Sequence, residues 1–396
     1  MPKIAPFNAI RYAPGTDLQA VIAPPYDVLS GEDVAALGAR DRHNIVHVDV
    51  PVGGADRYEV AAAKLNDWLV EGVLVLDEQP SVTIYRMSFT DATGSPRAIV
   101  GVLTGLEVVD ADAGGVLPHE RTTPKAVTDR FDLTRATATN LSPVWGLSLA
   151  SGLTAALAAP GEKLGEMTAD GVVHSVERVT DPARIAEITA ILASDDVLIA
   201  DGHHRYSISR TYRDEVREAR GSNETEAEFT LAFINELVAD QLSIEAIHRV
   251  YTGITIEQLQ ADLAGCFDFV PATPPTPATL TEMVELGRLM LLSPDGSATW
   301  LIPKDAALAG VRALDGAFLE HALAASTAEV SYQHGLTEML ELVASGTVAA
   351  GVLIRPTSLA EIQRTAREGL LMPPKSTFFT PKLRTGLVIR PTAALA

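Results

Sequence analysis

Val197-Leu198-Ile199-Ala200-Asp201-Gly202-His203-His204-Arg205-Tyr206 is the stretch on which the reading of the fold turns. Val197 to Ala200 read as a short buried strand and Ser207 to Ala219 as a helix, so Gly202 to Arg205 falls at a strand-to-helix junction. The first backbone N–H groups of a helix have no partner within it and lie at the positive end of its dipole, which suits such junctions to anions. Arg205 adds a planar fork that matches phosphate. A purely structural reading makes Asp201 an N-cap, His203 a core histidine and Arg205 a surface ion-pair partner. The density of a carboxylate, two imidazoles and a guanidinium favours a site.

Outward from this junction the pattern is of strands and helices in alternation. Asp181 to Ala193 predicts the helix before it, Gly171 to Thr180 a strand, and Phe229 to Leu237 a central strand. Near the start, Ala20 to Ala23 read as extended, Pro24-Pro25 fix the backbone ahead of Tyr26 and Asp27, and Ser30 caps a helix with Asp33 at its third position. Ile45 to Val50 reads as a strand, which would place His43 and His47 on one face, a structural pair. Arg57 to Gly72 predicts an amphipathic helix burying Tyr58, Ala61, Leu65 and Trp68 or Leu69. Ser81 to Val109 alternates like a hairpin across Thr93-Gly94-Ser95-Pro96. The four prolines between Pro271 and Thr279 predict a separator before a last lobe. The expected organisation is an α/β or α+β protein with mixed sheets and flanking helices, in three parts: residues 1–165, 166–270 and 280–396.

Composition narrows the function. The chain has 396 residues, 47% hydrophobic, enough for a large core. A formal net charge of −20 argues against nucleic acid as a partner, because that affinity comes from cationic side chains. Cys266 is the single cysteine, which excludes an intrachain disulfide and a cysteine-rich zinc site and fits a reducing cytoplasm. Its apolar neighbours mark a buried, inert thiol. No window of ~18 uninterrupted apolar residues exists, so no membrane span is expected.

Two further clusters carry chemistry. His119-Glu120-Arg121-Thr122 precedes Lys125, Asp129 and Arg130 in what reads as a loop. Glu120 is the preferred general base, with His119 beside it and Asp27 the second choice; Arg121, Arg130 and Tyr26 would bind substrate. A surface salt-bridge cluster is the alternative. Lys375-Ser376-Thr377 offers a cation and two hydroxyls for phosphate, without the glycine spacing of a P-loop. Asp201, at a strand end, is placed to hold a divalent cation while Gly202, His203, His204 and Arg205 hold phosphate. There is no Gly-x-Ser-x-Gly elbow and no dinucleotide-binding Gly-x-Gly-x-x-Gly after a strand, which sets aside serine hydrolases and dinucleotide dehydrogenases.

The chain resembles the DUF1015 family over nearly its whole length, through Ala23-Pro24-Pro25-Tyr26-Asp27-Val28, Asn44-Ile45-Val46-His47, Pro118 to Thr122, Asp129-Arg130, Asn140-Leu141-Ser142-Pro143, Asp201 to Tyr206, and Met372 to Phe379. The Asp201 to Arg205 run also resembles the signature with which ParB/sulfiredoxin-like proteins hold nucleotide phosphates, one branch of which phosphorylates free serine. This second resemblance implies a ParB/sulfiredoxin-like nucleotide-binding core elaborated by insertions and a C-terminal lobe. It implies a phosphotransferase using ATP, ADP or another nucleotide with Mg2+ on a small hydroxylated metabolite, free L-serine first among them. A nucleotide-binding regulator with slow or no hydrolysis and a metal-dependent phosphohydrolase are the rivals. A homodimer is left open.

Overall fold

The computed structural model describes residues 1–111, 113–118, 127–373 and 375–393, and of Val127 and Thr128 the backbone alone. Within these the fold is mixed α/β. The chain forms two compact units. The first comprises Met1–Phe89, Arg97–Leu242 and Pro381–Ala396, and the second Thr90–Pro96 and Ser243–Thr380.

The first unit is built on a nine-stranded sheet: β1 (Ile4–Ala5), β2 (Val82–Thr90), β3 (Pro96–Glu107), β4 (Val116–Leu117), β5 (Val144–Ser148), β6 (Glu162–Ala169), β7 (Val172–Val179), β8 (Val197–Asp201) and β9 (Phe229–Glu236). The order is β4-β8-β5-β9-β3-β2-β7-β6, with β1 beside β3. As its apolar character implied, β9 is central: parallel to β5 and antiparallel to β3, with Phe233 set edge-on to Trp145 and Tyr85 at centroid distances of 5.5 and 5.4 Å. The predicted helices form where their caps put them. In α1 (Gly31–Arg40), Ser30 and Asp33 cap each other through Ser30 N to Asp33 Oδ2 at 2.9 Å and Asp33 N to Ser30 Oγ at 3.1 Å. The next helix, α2 (Arg57–Val70), buries Tyr58, Ala61, Leu65 and Trp68. After α3 (Val127–Thr137) comes α4 (Pro182–Leu192), which begins with Asp181 as cap and proline at its first position. The long α5 (His203–Arg220) follows β8 directly.

The second unit has a six-stranded sheet of β10 (His248–Thr252), β11 (Phe267–Ala272), β12 (Leu289–Leu292), β13 (Ala298–Pro303), β14 (Glu329–Gln333) and β15 (Ala350–Leu353), in the order β11-β13-β12-β15-β10-β14. It carries its own apolar core, including Phe267, Leu289, Leu301 and Val352.

Several expectations are corrected. Ala20 to Ala23 is not extended throughout: Leu18–Val21 is a helical turn capped by Asp17. Residues 46–49 are also a helical turn rather than a strand, because the Asn44 side chain accepts from Val46 N at 3.0 Å and starts the turn. His43 and His47 therefore share no strand face. Asp129 and Arg130 stand on a helix, not in a loop. The prolines near 271–279 do not separate lobes. Pro271 sits in the edge strand β11, where a missing N–H is tolerated, and Pro277 opens the helix Pro277–Leu286.

The compact units also differ from the three expected parts. No division falls at residue 165, since β8 and β9 insert among strands from the earlier residues. The end of the chain returns to the first unit, pairing Ile389 with Ile10, Thr385 with Ala23 and Arg390 with Asn140.

Candidate functional site

The sequence turns sharply between β8 and α5. Gly202 takes φ +86°, a left-handed conformation, and as the residue before the helix it supplies no side-chain cap. A Cβ there would also lie 3.0 Å from Cζ and Nε of Arg205, so the position is closed to side chains twice over. His203, His204 and Arg205 form the first turn of α5, so the helix begins four residues earlier than the pattern from Ser207 predicted.

Arg205 is 9% exposed and faces inward. Its Nη2 lies 3.1 Å from Asp201 Oδ2 and 3.8 Å from Asp27 Oδ2, and its Nη1 donates to the carbonyl of Pro143. Lys382, far along the chain, places Nζ 3.4 Å from the same Asp201 Oδ2. Burial works to raise the Asp201 carboxyl, but Arg205, Lys382, His203 and the Gly202 backbone N–H outweigh it and hold the group well below the usual carboxylate range.

Beside this turn the Pro25 backbone, at φ −65° and ψ 147°, delivers a short 3-10 turn, Tyr26–Val28. The Arg130 guanidinium stacks 4.1 Å over the Tyr26 ring, donates from Nη1 to Asp49 Oδ1 at 3.1 Å and from Nε to Asp129 Oδ2 at 3.2 Å. Burial pushes the Tyr26 hydroxyl up. Asp49, 2% exposed, is pushed above the usual carboxylate range by burial against the pull of Arg130 and Arg205. Tyr26, Asp49, Arg130, Ser142, Arg205 and Ile208 are among the residues around a cavity of about 50 Å³.

The first unit thus brings together Tyr26, Asp27, Arg130, Asp201, Gly202 and Arg205, with His203 and His204 on the same helical turn. Lys375, Ser376 and Thr377 belong to the second unit. There Lys375 has φ +61°, Ser376 Oγ donates to Pro373 O at 2.7 Å, and the Ser376 carbonyl accepts from Thr357 Oγ1 at 2.8 Å. His119, Glu120 and Arg121 lie outside the described residues. Asp49 and Lys382 were not among the expected site residues. Lys382 was visible only as local positive charge, and an acid behind Val46 and Val48 carries no signal of its own.

Two expected roles change. Arg205 is less a free fork for phosphate than the buried strut of the turn. Asp201, expected to hold a divalent cation, already gathers two cations on one oxygen. Among the described residues no cluster of three or more His, Cys, Asp or Glu is spaced for a metal. The carboxylate as placed does not fit a metal ion, and no step below is routed through one. The turn offers a glycine-bounded helix start, with a lysine whose side chain is 20% exposed alongside.

The family described as "Protein of unknown function (DUF1015)" matches residues 4–317. The chain belongs to this family. No curated protein matches it. Among solved structures, this DUF1015 member is similar to a conserved hypothetical protein from Pyrococcus furiosus (12% identity, 69% of this chain and 92% of that one, TM-score 0.36). It is also similar to a free serine kinase in complex with AMP (11% identity, 69% and 89%, TM-score 0.36) and to SbnI with a C-terminal truncation from Staphylococcus aureus (15% identity, 73% and 87%, TM-score 0.36). The likeness is partial and says nothing of the reaction. Among the described residues no helix is long and apolar enough to cross a membrane.

Proposed function

We propose that this DUF1015 protein is a nucleotide-dependent phosphotransferase acting on a small hydroxylated metabolite. The observation that carries this reading is the turn from β8 into α5. Gly202 in the left-handed region leads straight into the N-terminus of an 18-residue helix, with Lys382 3.4 Å from Asp201 beside it. Here the backbone at His203 to Arg205 and the Lys382 ammonium would hold nucleotide phosphates, while the Asp201–Arg205 pair keeps the turn rigid. A bound nucleotide would supply the phosphoryl group. Asp27, 40% exposed at its side chain and close to Arg205, would take the acceptor's hydroxyl proton, unless Glu120 does so. Phosphoryl transfer asks mainly for positioning and charge neutralisation, which this set provides. L-serine is the first acceptor to screen, on the resemblance of the Asp201 to Arg205 run.

A nucleotide-binding regulator is the second reading, favoured by one observation: Asp201 is engaged by two cations rather than open to a metal. Acceptor-stimulated turnover separates the two.

The experiment is a thermal-shift titration with ATP, ADP, CTP and GTP in the presence of magnesium, on the full chain and on Lys382→Ala. Lys382 is chosen because Arg205 is a buried strut whose loss confounds folding with binding. A nucleotide-dependent rise that is reduced in Lys382→Ala supports the reading. No rise with any nucleotide overturns it.

A further inference from the structure

Asp49 and Arg205, which both line the cavity beside the turn, each carry a buried polar atom with nothing to bond. Asp49 Oδ2 has no hydrogen-bond partner although Oδ1 is taken by Arg130, and Arg205 Nε has none although both its terminal nitrogens are engaged. An orphaned buried acceptor and an orphaned buried donor each cost free energy unless something completes them. Three nearby hydroxyls are engaged locally: Ser142 Oγ with Thr385 Oγ1 at 2.8 Å, Thr134 Oγ1 to the Arg130 carbonyl at 2.9 Å, Ser209 Oγ to the Arg205 carbonyl at 3.0 Å.

We propose that this cavity, bounded by Asp49 and Arg205, is a binding subsite for the neutral hydroxylated end of a small metabolite. A hydroxyl is at once donor and acceptor, so it suits a site whose lining residues carry both an unmatched acceptor and an unmatched donor. Size agrees. A cavity of about 50 Å³ has room for several water-sized groups, each needing at least ~10–15 Å³, the scale of a short hydroxylated chain. Charge decides between neutral and ionic occupants. The two guanidinium groups at the cavity are already matched, Arg130 by Asp49 and Asp129 and Arg205 by Asp201 and Asp27. With these charges already matched, an ammonium or a carboxylate brought here adds an uncompensated charge in surroundings that screen charge poorly. Ile208 adds a buried apolar side for carbon. The subsite stands apart from the phosphotransferase reading; the orphaned pair does not depend on it.

The test is methyl NMR on the full chain without nucleotide, following the Ile208 methyl during titration with ethylene glycol, ethanolamine and glycolate. These three share a two-carbon frame and differ in the charge of one end. Ethylene glycol is expected to shift Ile208 saturably, with ethanolamine and glycolate at least tenfold weaker. Asp49→Asn is expected to weaken the glycol at least tenfold while methyl signals of the second unit stay in place. Equal or tighter binding of either charged probe, or no saturable shift with the glycol, overturns the proposal whether or not the variant folds. Because nucleotide is absent, failure here leaves the phosphate-binding turn untouched, and failure of the nucleotide titration leaves the cavity untouched.

Discussion

Arg205 and Asp201 face each other across the β8–α5 turn, four residues apart, with Nη2 3.1 Å from Oδ2. Because Arg205 also anchors the Pro143 carbonyl, the pair ties the end of one strand to the start of its neighbour β5. Removing Arg205 leaves Asp201 with Lys382 and takes the donor from the Pro143 carbonyl. Arg205→Ala is therefore expected to destabilise the first unit by about 1–3 kcal/mol, read by urea denaturation. A loss under ~0.5 kcal/mol, as at an ordinary surface position, would show that the pair is ornamental.

Gly202→Ala tests the turn itself. The substitution forces alanine to φ +86° and pushes its Cβ to 3.0 Å from Arg205. A cost of about 1–3 kcal/mol is expected, together with loss of any nucleotide-induced thermal shift. Unchanged stability and binding would mean that the backbone relaxes to another conformation there.

The two candidate bases are separable by kinetics. Asp27→Asn and Glu120→Gln keep shape and remove the proton acceptor. The variant lacking the true base is expected to lose about 10²–10⁴-fold in kcat, with nucleotide binding retained, in an acceptor-dependent ADP-release assay. Equal, small effects from both would deny either residue that role.

Buried neutral histidines set an acid limit. His174 Nε2 accepts from Arg384 Nε at 3.3 Å, so its proton sits on Nδ1 and points to the Tyr85 hydroxyl at 2.7 Å. Burial, with Arg384 adding to it, lowers its pKa to about 3, and burial lowers that of His248 in the second unit to about 4. Both lie below the ordinary value of about 6.5, so as pH falls the unfolded chain binds protons first. Their contribution is complete above pH ~6.5 and is lost progressively down to those values, about 2 kcal/mol for each histidine by pH ~5. Denaturation at pH 7.5 and 5.0 should show the loss, and His174→Asn should lessen it; an unchanged slope in the variant would remove His174 from the account.

The strand-to-helix turn was legible because it is local. Val197 to Ala200 carry a strand pattern, Gly202 punctuates it and α5 follows, and no distant residue is needed to see that. The helix start was misjudged by four residues because His203 to Tyr206 resemble a loop in composition, whereas the left-handed Gly202 lets the helix begin at once. Residues 46–49 failed for the opposite reason. Val46 and Val48 favour a strand, and a single side-chain bond from Asn44 prevailed. Asp49 was invisible because its meaning comes from Arg130, 81 residues away; Lys382 stood out as a charge, but its meeting with Asp201 from 181 residues away did not. Pairings of that range leave no period in a sequence.

The first unit is discontinuous, with Ser243–Thr380 lying between its body and the residues from Pro381 onward. On the ribosome, Asp201 and Arg205 emerge long before Lys382, and the whole intervening unit is synthesised while the turn still lacks its lysine. Ile10 and Ala23 likewise wait for Ile389 and Thr385. Until then the nascent first unit exposes an unfinished edge, and closure of such distant contacts is slow. The stretch from Pro381 onward therefore joins the first unit last, in the order in which the chain is made.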